Sequence, residues 1–530
     1  MPRASGAAWA PLRHPTFAAM WSAQFVSNIG SWMQTVGAQW LMLSLTGSAT
    51  LIALIQTAAA LPVLLLSVPA GVVSDLVDRR RLLIGAETFM LVAAATLGVL
   101  ALRGLVTPWV LLALVFAVGA GQAFTSPTWQ TLQPELVEPA ERQQAISLGA
   151  VNMNLARAIG PAIGGLVLLA TDAGTLFLIN AATFLAVIAV VARWRETRLA
   201  GVLPREHAGE ATRAGARYIS ASPALRAVLA RAVLFTFFAS AIWALLPLTA
   251  TSHLHLGSGG YGLLLGCVGL GAVGGGALLP RLRTLASAAW LVSIGSLGLA
   301  GVTLVLAYVR VRPVVAVALV VAGLAWILVL STLNSAFQLS LPGWVKARGM
   351  AFYLIAFQGG AAVGSVVLGV SAQRLGLSTA LLLAAAGLAL GPLAGLRYRF
   401  IPLPPEDLLP AGDWPQPQLA TDHLPRGPIM VNVEYWARPG REDDLHAALA
   451  GSRFSRRRTG AISWRVWRDA EQGTRFIEQF VVASWPEHLR QHERVTRRDQ
   501  QRFDRIRAMT DPNRPTTVTH WLTPQPSPRP

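Results

Sequence analysis

The stretch "GVVSDLVDRRRLL", residues 71 to 83, gathers two carboxylates and three guanidiniums between two long apolar runs. Gly71 and Asp75 lie one helical turn apart and so share a face. Glycine there permits close approach of a neighbouring helix, and Asp75 faces that neighbour at the boundary of the apolar run. The chemistry on offer is charge-assisted pairing of carboxylate with guanidinium. A plain basic loop that ends an apolar span accounts for the same charges, and charge alone leaves both readings open.

A second group lies in "ARAIGPAIGG", residues 156 to 165. Gly160, Gly164 and Gly165 leave a groove for close packing, and Pro161 removes a backbone donor and bends the helix. Arg157 stands in the same apolar run. An arginine in hydrocarbon is costly and faces a cavity or a partner; structural pairing with carbonyls or an acid is the alternative. Gln24, Asn28, Ser31, Thr35 and Gln39 recur at helical spacing and form a polar stripe, a theme repeated by Ser331, Asn334, Ser335 and Gln338. Such stripes line a cavity or bond to another helix through their amides. For proton transfer the choice is narrow, because no Asp or Glu occurs between Ala211 and Pro405. Glu87 and Asp75 are the acids that lie within or border apolar spans. Glu87, one to two turns inside its span, could instead snorkel to the surface. No sodium cage is visible.

Other chemistries have little support. There is no P-loop, no G-x-G-x-x-G, no nucleophile elbow and no zinc-ligand spacing, so the chain is not read as an enzyme, no catalytic residue is assigned and no cofactor or metal is expected. One cysteine, Cys267, cannot build a disulfide framework. His488 and His492 stand at i and i+4, a metal-compatible spacing, but no third ligand is evident and they read as solvated surface residues. The run "SRRRTG" at 455 to 460, with Arg494, Arg497 and Arg498, fits either anionic lipid headgroups or a solvated face.

The elements that must position these residues follow from composition. The 530-residue chain is 53% hydrophobic and 13% charged, which points to a membrane protein. Spans of about 20 apolar residues are expected near 17–45, 51–74, 82–102, 108–132, 144–170, 174–193, 225–251, 259–280, 287–308, 313–340, 347–373 and 377–396. Up to residue 400 there are 25 basic and 10 acidic residues, against 19 and 16 afterwards. Alternate connections carry 20 and 4 of the first set, which places both termini in the cytoplasm. The net charge of +18 therefore reads as membrane orientation rather than nucleic-acid binding. The N-terminus lacks a small-residue cleavage site and does not read as a removed signal peptide.

This gives an all-α membrane protein with 12 transmembrane helices in two six-helix bundles, plus a small α+β domain. The expected divisions are 12–193, a cytoplasmic loop 194–224, 225–400, a Pro-rich linker 401–428 and a soluble domain 429–525. Weak similarity between "LTGSATLIAL" (45–54) and "HLGSGGYGLL" (255–264) supports the two halves. The tail reads β-α-β-β-α-β, a ferredoxin-like order, with a long basic helix near 486 to 509.

The quoted loop resembles the G-x-x-x-D-x-x-x-R-R loop between helices two and three of the major facilitator superfamily, with Leu76 where an arginine often stands. "GPAIGG" is similar to the G-P-x-x-G-G motif of the superfamily's exporters, and the chain resembles its enterobactin-exporter-like (transmembrane secretion effector) branch. The resemblance implies a gate in which Asp75, Arg79 and Arg80 clasp the end of helix four at Glu135 and Glu138, together with helix eleven of the other half. It further implies a bacterial inner-membrane exporter of a small, partly hydrophobic molecule (drug, siderophore or metabolite), working by alternating access in exchange for protons. An importer on the same fold, a membrane-anchored enzyme and a non-transporting sensor are the alternatives. The tail resembles the antibiotic-biosynthesis-monooxygenase-like, dimeric α+β barrel group, which implies a sensing module or self-association.

Overall fold

The computed structural model describes residues 9–194, 208–397 and 427–522, together with 407, 409 and 411. Six long helices come first: α1 (Pro15–Leu45), α2 (Ala49–Leu76), α3 (Arg79–Leu102), α4 (Pro108–Leu132), α5 (Arg142–Ala170) and α6 (Ala173–Arg193). A shorter amphipathic helix, α7 (Ala208–Ser220), lies within the segment read from sequence as a connection. Six more long helices follow: α8 (Pro223–Leu248), continued by a π-helical turn Thr249–His253, then α9 (Ser258–Leu285), α10 (Ala288–Tyr308), α11 (Arg312–Leu339), α12 (Lys346–Leu375) and α13 (Leu377–Arg397).

Ten of these helices, α2 to α6 and α8 to α12, are long and apolar enough by themselves to cross a membrane. The expected count of 12 is therefore not carried by apolarity alone. In α1 the polar stripe lowers the hydropathy, and in α13 the apolar stretch is only Leu377–Leu393.

Helix starts follow the capping rules. Ser48, Thr107, Asp172 and Ser287 each accept a backbone N–H from three residues ahead, satisfying one of the orphan donors of a helix N-terminus. Asp78 does the same for α3, accepting from Arg81 N at 2.9 Å. One of the five charges in the 71–83 stretch thus serves local structure.

The described residues form two compact units. The first contains both helix groups. Within the first group α3 packs on α6 and α4, α2 on α4, and α1 on α5 and α6. Contacts between the groups gather toward the end that carries the α1–α2 connection. There Gln39 Nε2 donates to the Trp243 carbonyl (2.8 Å), Tyr261 Oη donates to Gln39 Oε1, and Ala49 N donates to Gln373 Oε1 (2.7 Å).

The second unit contains the tail with α7 and the connection 335–352. Its sheet has the order β2-β3-β1-β4, formed by β1 (Ile429–Trp436), β2 (Ser463–Arg468), β3 (Arg475–Val482) and β4 (Thr517–Leu522), every pairing antiparallel. Helix α14 (Glu442–Thr459) joins β1 to β2. Burial alternates along β1 and β3, so Val431, Val433, Phe476 and Phe480 face the helices. The expected long helix near 486–509 is two, α15 (Trp485–Glu493) and α16 (Arg497–Ala508). Thr496 and Asp499 form a capping box that restarts the chain after the break.

Arginines read as solvated or lipid-facing are partly internal. Arg456 pairs with the fully buried Glu478 at 2.9 Å, and Glu478 also accepts from Ser452, Trp464 Nε1 (2.9 Å) and Tyr435 Oη (3.1 Å). Arg458 pairs with Asp499. Arg494 pairs with Glu487 at 2.7 Å and lies 4.5 Å over the Trp344 ring, while Arg217 of α7 meets the same carboxylate at 2.9 Å. Charges buried at this depth require partners, which explains why carboxylates converge on them.

Candidate functional site

Helix α5 brings the site together. Arg157, Gly160 and Gly164 stand at i, i+3 and i+7, one face of the helix, and that face meets α1. A Cβ on Gly160 would lie 2.6 Å from Trp32 Cβ, and one on Gly164 would lie 3.1 Å from Met33 Cα. Gly165 points to α9, where a Cβ would come 2.1 Å from Gly262 Cα. Pro161 is buried within the helix, which continues through it.

The close approach at Gly160 sets the Arg157 guanidinium 5.3 Å from the Trp32 ring centroid. Arg157 Nε and Nη1 are buried and have no hydrogen-bond partner among the described residues. Trp32 leads to the second helix group: its ring lies 6.5 Å from Trp243, Trp243 lies 5.5 Å from Trp326, and Trp326 lies 5.7 Å from Phe235 and 6.2 Å from Phe357. Edge-on and tilted packing of this kind is favourable for aromatic rings. The result is an aromatic wall contributed by α1, α8, α11 and α12, with Arg157 beside it. Sequence reading missed this wall. The signal available was tryptophan abundance, 17 in the chain, but which of them meet is set by packing between different helices.

The polar stripe of α1 divides. Gln24 Nε2 donates to Asn28 Oδ1 (3.1 Å), Asn28 Nδ2 to Asn152 Oδ1 (2.9 Å), and Asn152 Nδ2 to the Trp21 carbonyl (2.8 Å). The first lies within α1, and the other two are side-chain amide hydrogen bonds between α1 and α5. Thr35 Oγ1 donates to the Ser31 carbonyl of its own helix (3.0 Å), and Gln39 joins the two helix groups. On α11, Ser331 accepts from Arg283 at 3.2 Å; Asn334 is half-buried, and Gln338 sits one turn further on.

The residues expected to form a gate fall at the other end of the bundle. Arg79 pairs with Glu135, which lies in the turn after α4. Arg80 donates to the carbonyls of Val191 and Ala192 at the end of α6. Glu138 is exposed. The side chains of Gly71, Asp75 and Leu76 lie outside the described residues. Glu87 does not snorkel: it is 2% exposed, packed beside the Trp129 indole, with Oε2 free of any hydrogen bond among the described residues.

In the tail, His488 is 2% exposed rather than solvated. Its Nε2 lies 2.9 Å from His520 Nε2 and 3.3 Å from His492 Nε2, while its Nδ1 faces Gln491 Oε1 at 3.2 Å. Burial, then His492 and His520, push its pKa down to about 3. Among the described residues no group of three or more His, Cys, Asp or Glu is arranged to hold a metal ion.

Comparison with known proteins places this geometry in a wider group. The chain is 31% identical over 162 residues to a staphyloferrin A transporter of Staphylococcus aureus, covering 30% of this chain and 41% of that one. It is 30% identical over 189 residues to the multidrug efflux pump Tap of Mycobacterium tuberculosis, covering 34% and 44%. The chain thus spans less than half the length of these curated relatives. Its fold is similar to that of a solved bacterial homolog of the human lysosomal transporter Spinster, with a TM-score of 0.61 and 15% identity over 74% of this chain and 98% of that chain. The profile of the transmembrane secretion effector family matches residues 6–528, and the chain, a multi-pass membrane protein, belongs to that family.

Proposed function

We propose that the chain is a secondary active exporter of the inner membrane, moving a small, partly hydrophobic molecule such as a drug, siderophore or metabolite by alternating access. The carrying observation is the arrangement of the two helix groups: bonds between them gather toward the α1–α2 end, and an aromatic wall with Arg157 lies where they meet. Bonds at one end of such a bundle are the ones that must break when it opens there. The arginine distribution supports a cytoplasmic location for the opposite end and for the tail. The family, and relatives named as a siderophore transporter and an efflux pump, favour transport over a membrane-anchored enzyme.

Protons are the proposed coupling ion and Glu87 the proposed carrier, with Asp75 the other candidate. Glu87 is an acid inside an apolar span, buried and with Oε2 unpartnered among the described residues, and ionisable groups in such places mark proton paths. Arg79, Arg80, Glu135 and Glu138, with Asp75 and Gly71, are proposed to stabilise the outward-open state at the cytoplasmic end. The tail self-associates through the sheet face opposite its helices, where Trp467 and Trp521 are about half exposed.

The test is transport into inverted vesicles with an imposed pH gradient, using a panel of dyes and siderophores. Uptake that collapses with the gradient supports export. Flux in the opposite direction favours the importer, and no flux for any compound sinks the transport reading.

A further inference from the structure

We propose that Arg157 and the aromatic wall beside it form a binding site for organic anions with a planar aromatic body. The proposal rests on the transport reading and names its substrate class.

The argument starts from what Arg157 lacks. Burying a guanidinium without a counter-charge is unfavourable, and its Nε and Nη1 have no acceptor among the described residues. The chain cannot readily supply the missing anion. The second helix group, which shares the aromatic wall, contains no Asp or Glu, since none occurs from Ala211 to Pro405. In the first group Glu87 lies beside Trp129, Asp75 stands in the last turn of α2 and Asp78 caps α3, while Glu135, Glu138, Glu141 and Asp172 stand in connections.

A second donor at this junction is unmet. Trp326 Nε1, contributed by the second helix group, is also buried with no hydrogen-bond partner among the described residues, and an indole N–H can only donate. Donors without acceptors, contributed from both groups, select an acceptor-rich ligand. Trp32, Trp243, Trp326 and Phe357 supply flat apolar surface on which an aromatic ring can stack. Carboxylates and phenolates attached to a ring meet both requirements. A neutral or cationic analogue of the same shape leaves the guanidinium unpaired.

The experiment uses full-length protein in lipid nanodiscs at pH 7.5, titrated calorimetrically with 1-naphthoate and its neutral isostere 1-naphthamide. The expected result is binding of the carboxylate at least tenfold tighter than the amide in the wild type. That preference should vanish in Arg157→Gln and persist in part in Arg157→Lys, each checked for a monodisperse gel-filtration profile. Equal or tighter binding of 1-naphthamide by the wild type overturns the proposal without any variant, as does an Arg157→Gln protein that keeps the preference. Flux in inverted vesicles separates the two readings. Anion-selective binding without gradient-driven flux leaves the site standing and removes export, whereas flux of substrates with no anion preference leaves export standing and removes the site.

Discussion

Gly165 of α5 and Gly262 of α9 meet backbone to backbone: a Cβ built on either residue would fall 2.1 Å from the other's Cα. Neither atom belongs to a flexible side chain, so no rotamer change can relieve the contact, and the pair is a point of direct contact between the two helix groups. Gly262→Val overpacks it, at a cost of about 1–3 kcal/mol. The closed arrangement at the α1–α2 end should lose roughly tenfold in population. A Gln39→Cys reporter in a Cys267→Ser background should react faster with a membrane-impermeant maleimide from that side; unchanged labelling would contradict the role given to this contact.

Glu87→Gln keeps the shape of the buried side chain and removes its proton. Uphill transport driven by a pH gradient should fall more than tenfold, while exchange of labelled for unlabelled substrate at equal pH continues near the wild-type rate. Equal loss of both activities would indicate a packing role for Glu87 and no part in coupling.

The Arg79–Glu135 pair is partly solvated, with side chains 27% and 54% exposed, so it contributes at most about 1 kcal/mol. Glu135→Gln should lower initial flux less than about fivefold, with a smaller effect in high salt. Arg79→Glu sets two carboxylates against each other and should do more damage, which Arg79→Glu combined with Glu135→Arg should largely repair. Failure of the reversed pair to recover flux would remove the pairing from the mechanism.

Removal of Glu478 by Glu478→Ala leaves the Arg456 guanidinium inside the tail domain without its carboxylate. Breaking a buried pair in this way costs about 3–5 kcal/mol. The melting transition of the tail in the full-length protein should fall by about 15 °C or more, visible in differential scanning fluorimetry. A shift of a degree or two would mean that the network matters little for stability.

Acid should weaken the tail domain. His488 titrates near 3 when folded against 6.5 for the free side chain, so in that interval the unfolded chain binds more protons. Stability is therefore lost as pH falls, at about 1.4 kcal/mol per unit below 6.5. Glu478 acts in the same direction at lower pH: burial opposes its charge, but Arg456, Ser452 and Trp464 hold its pKa below the usual value. Denaturation midpoints at pH 7.5, 6.0 and 5.0 should fall steadily in the wild type and more shallowly in His488→Asn. Parallel slopes would show that another group carries the dependence.

The sequence by itself determined the helices and much of what closes them. Apolar runs, caps such as Ser48 and Asp172, and breaks at charge or proline are local features, and local features are what one-dimensional periodicity records. It also singled out Arg157, because an arginine in an apolar run is anomalous wherever the run ends up. Partners are another matter. That Asn28 bonds to Asn152 while Gln39 reaches Trp243, that Trp32 begins a wall completed by Trp243, Trp326 and Phe357, and that His520 joins His488 all depend on which helix or strand lies alongside which. Residues from about thirty to more than two hundred positions apart become neighbours only when apolar faces have chosen their packing. The same packing decided that Arg456, Arg458 and Arg494 face carboxylates inside the tail, where charge counting alone had placed them in solvent or against lipid.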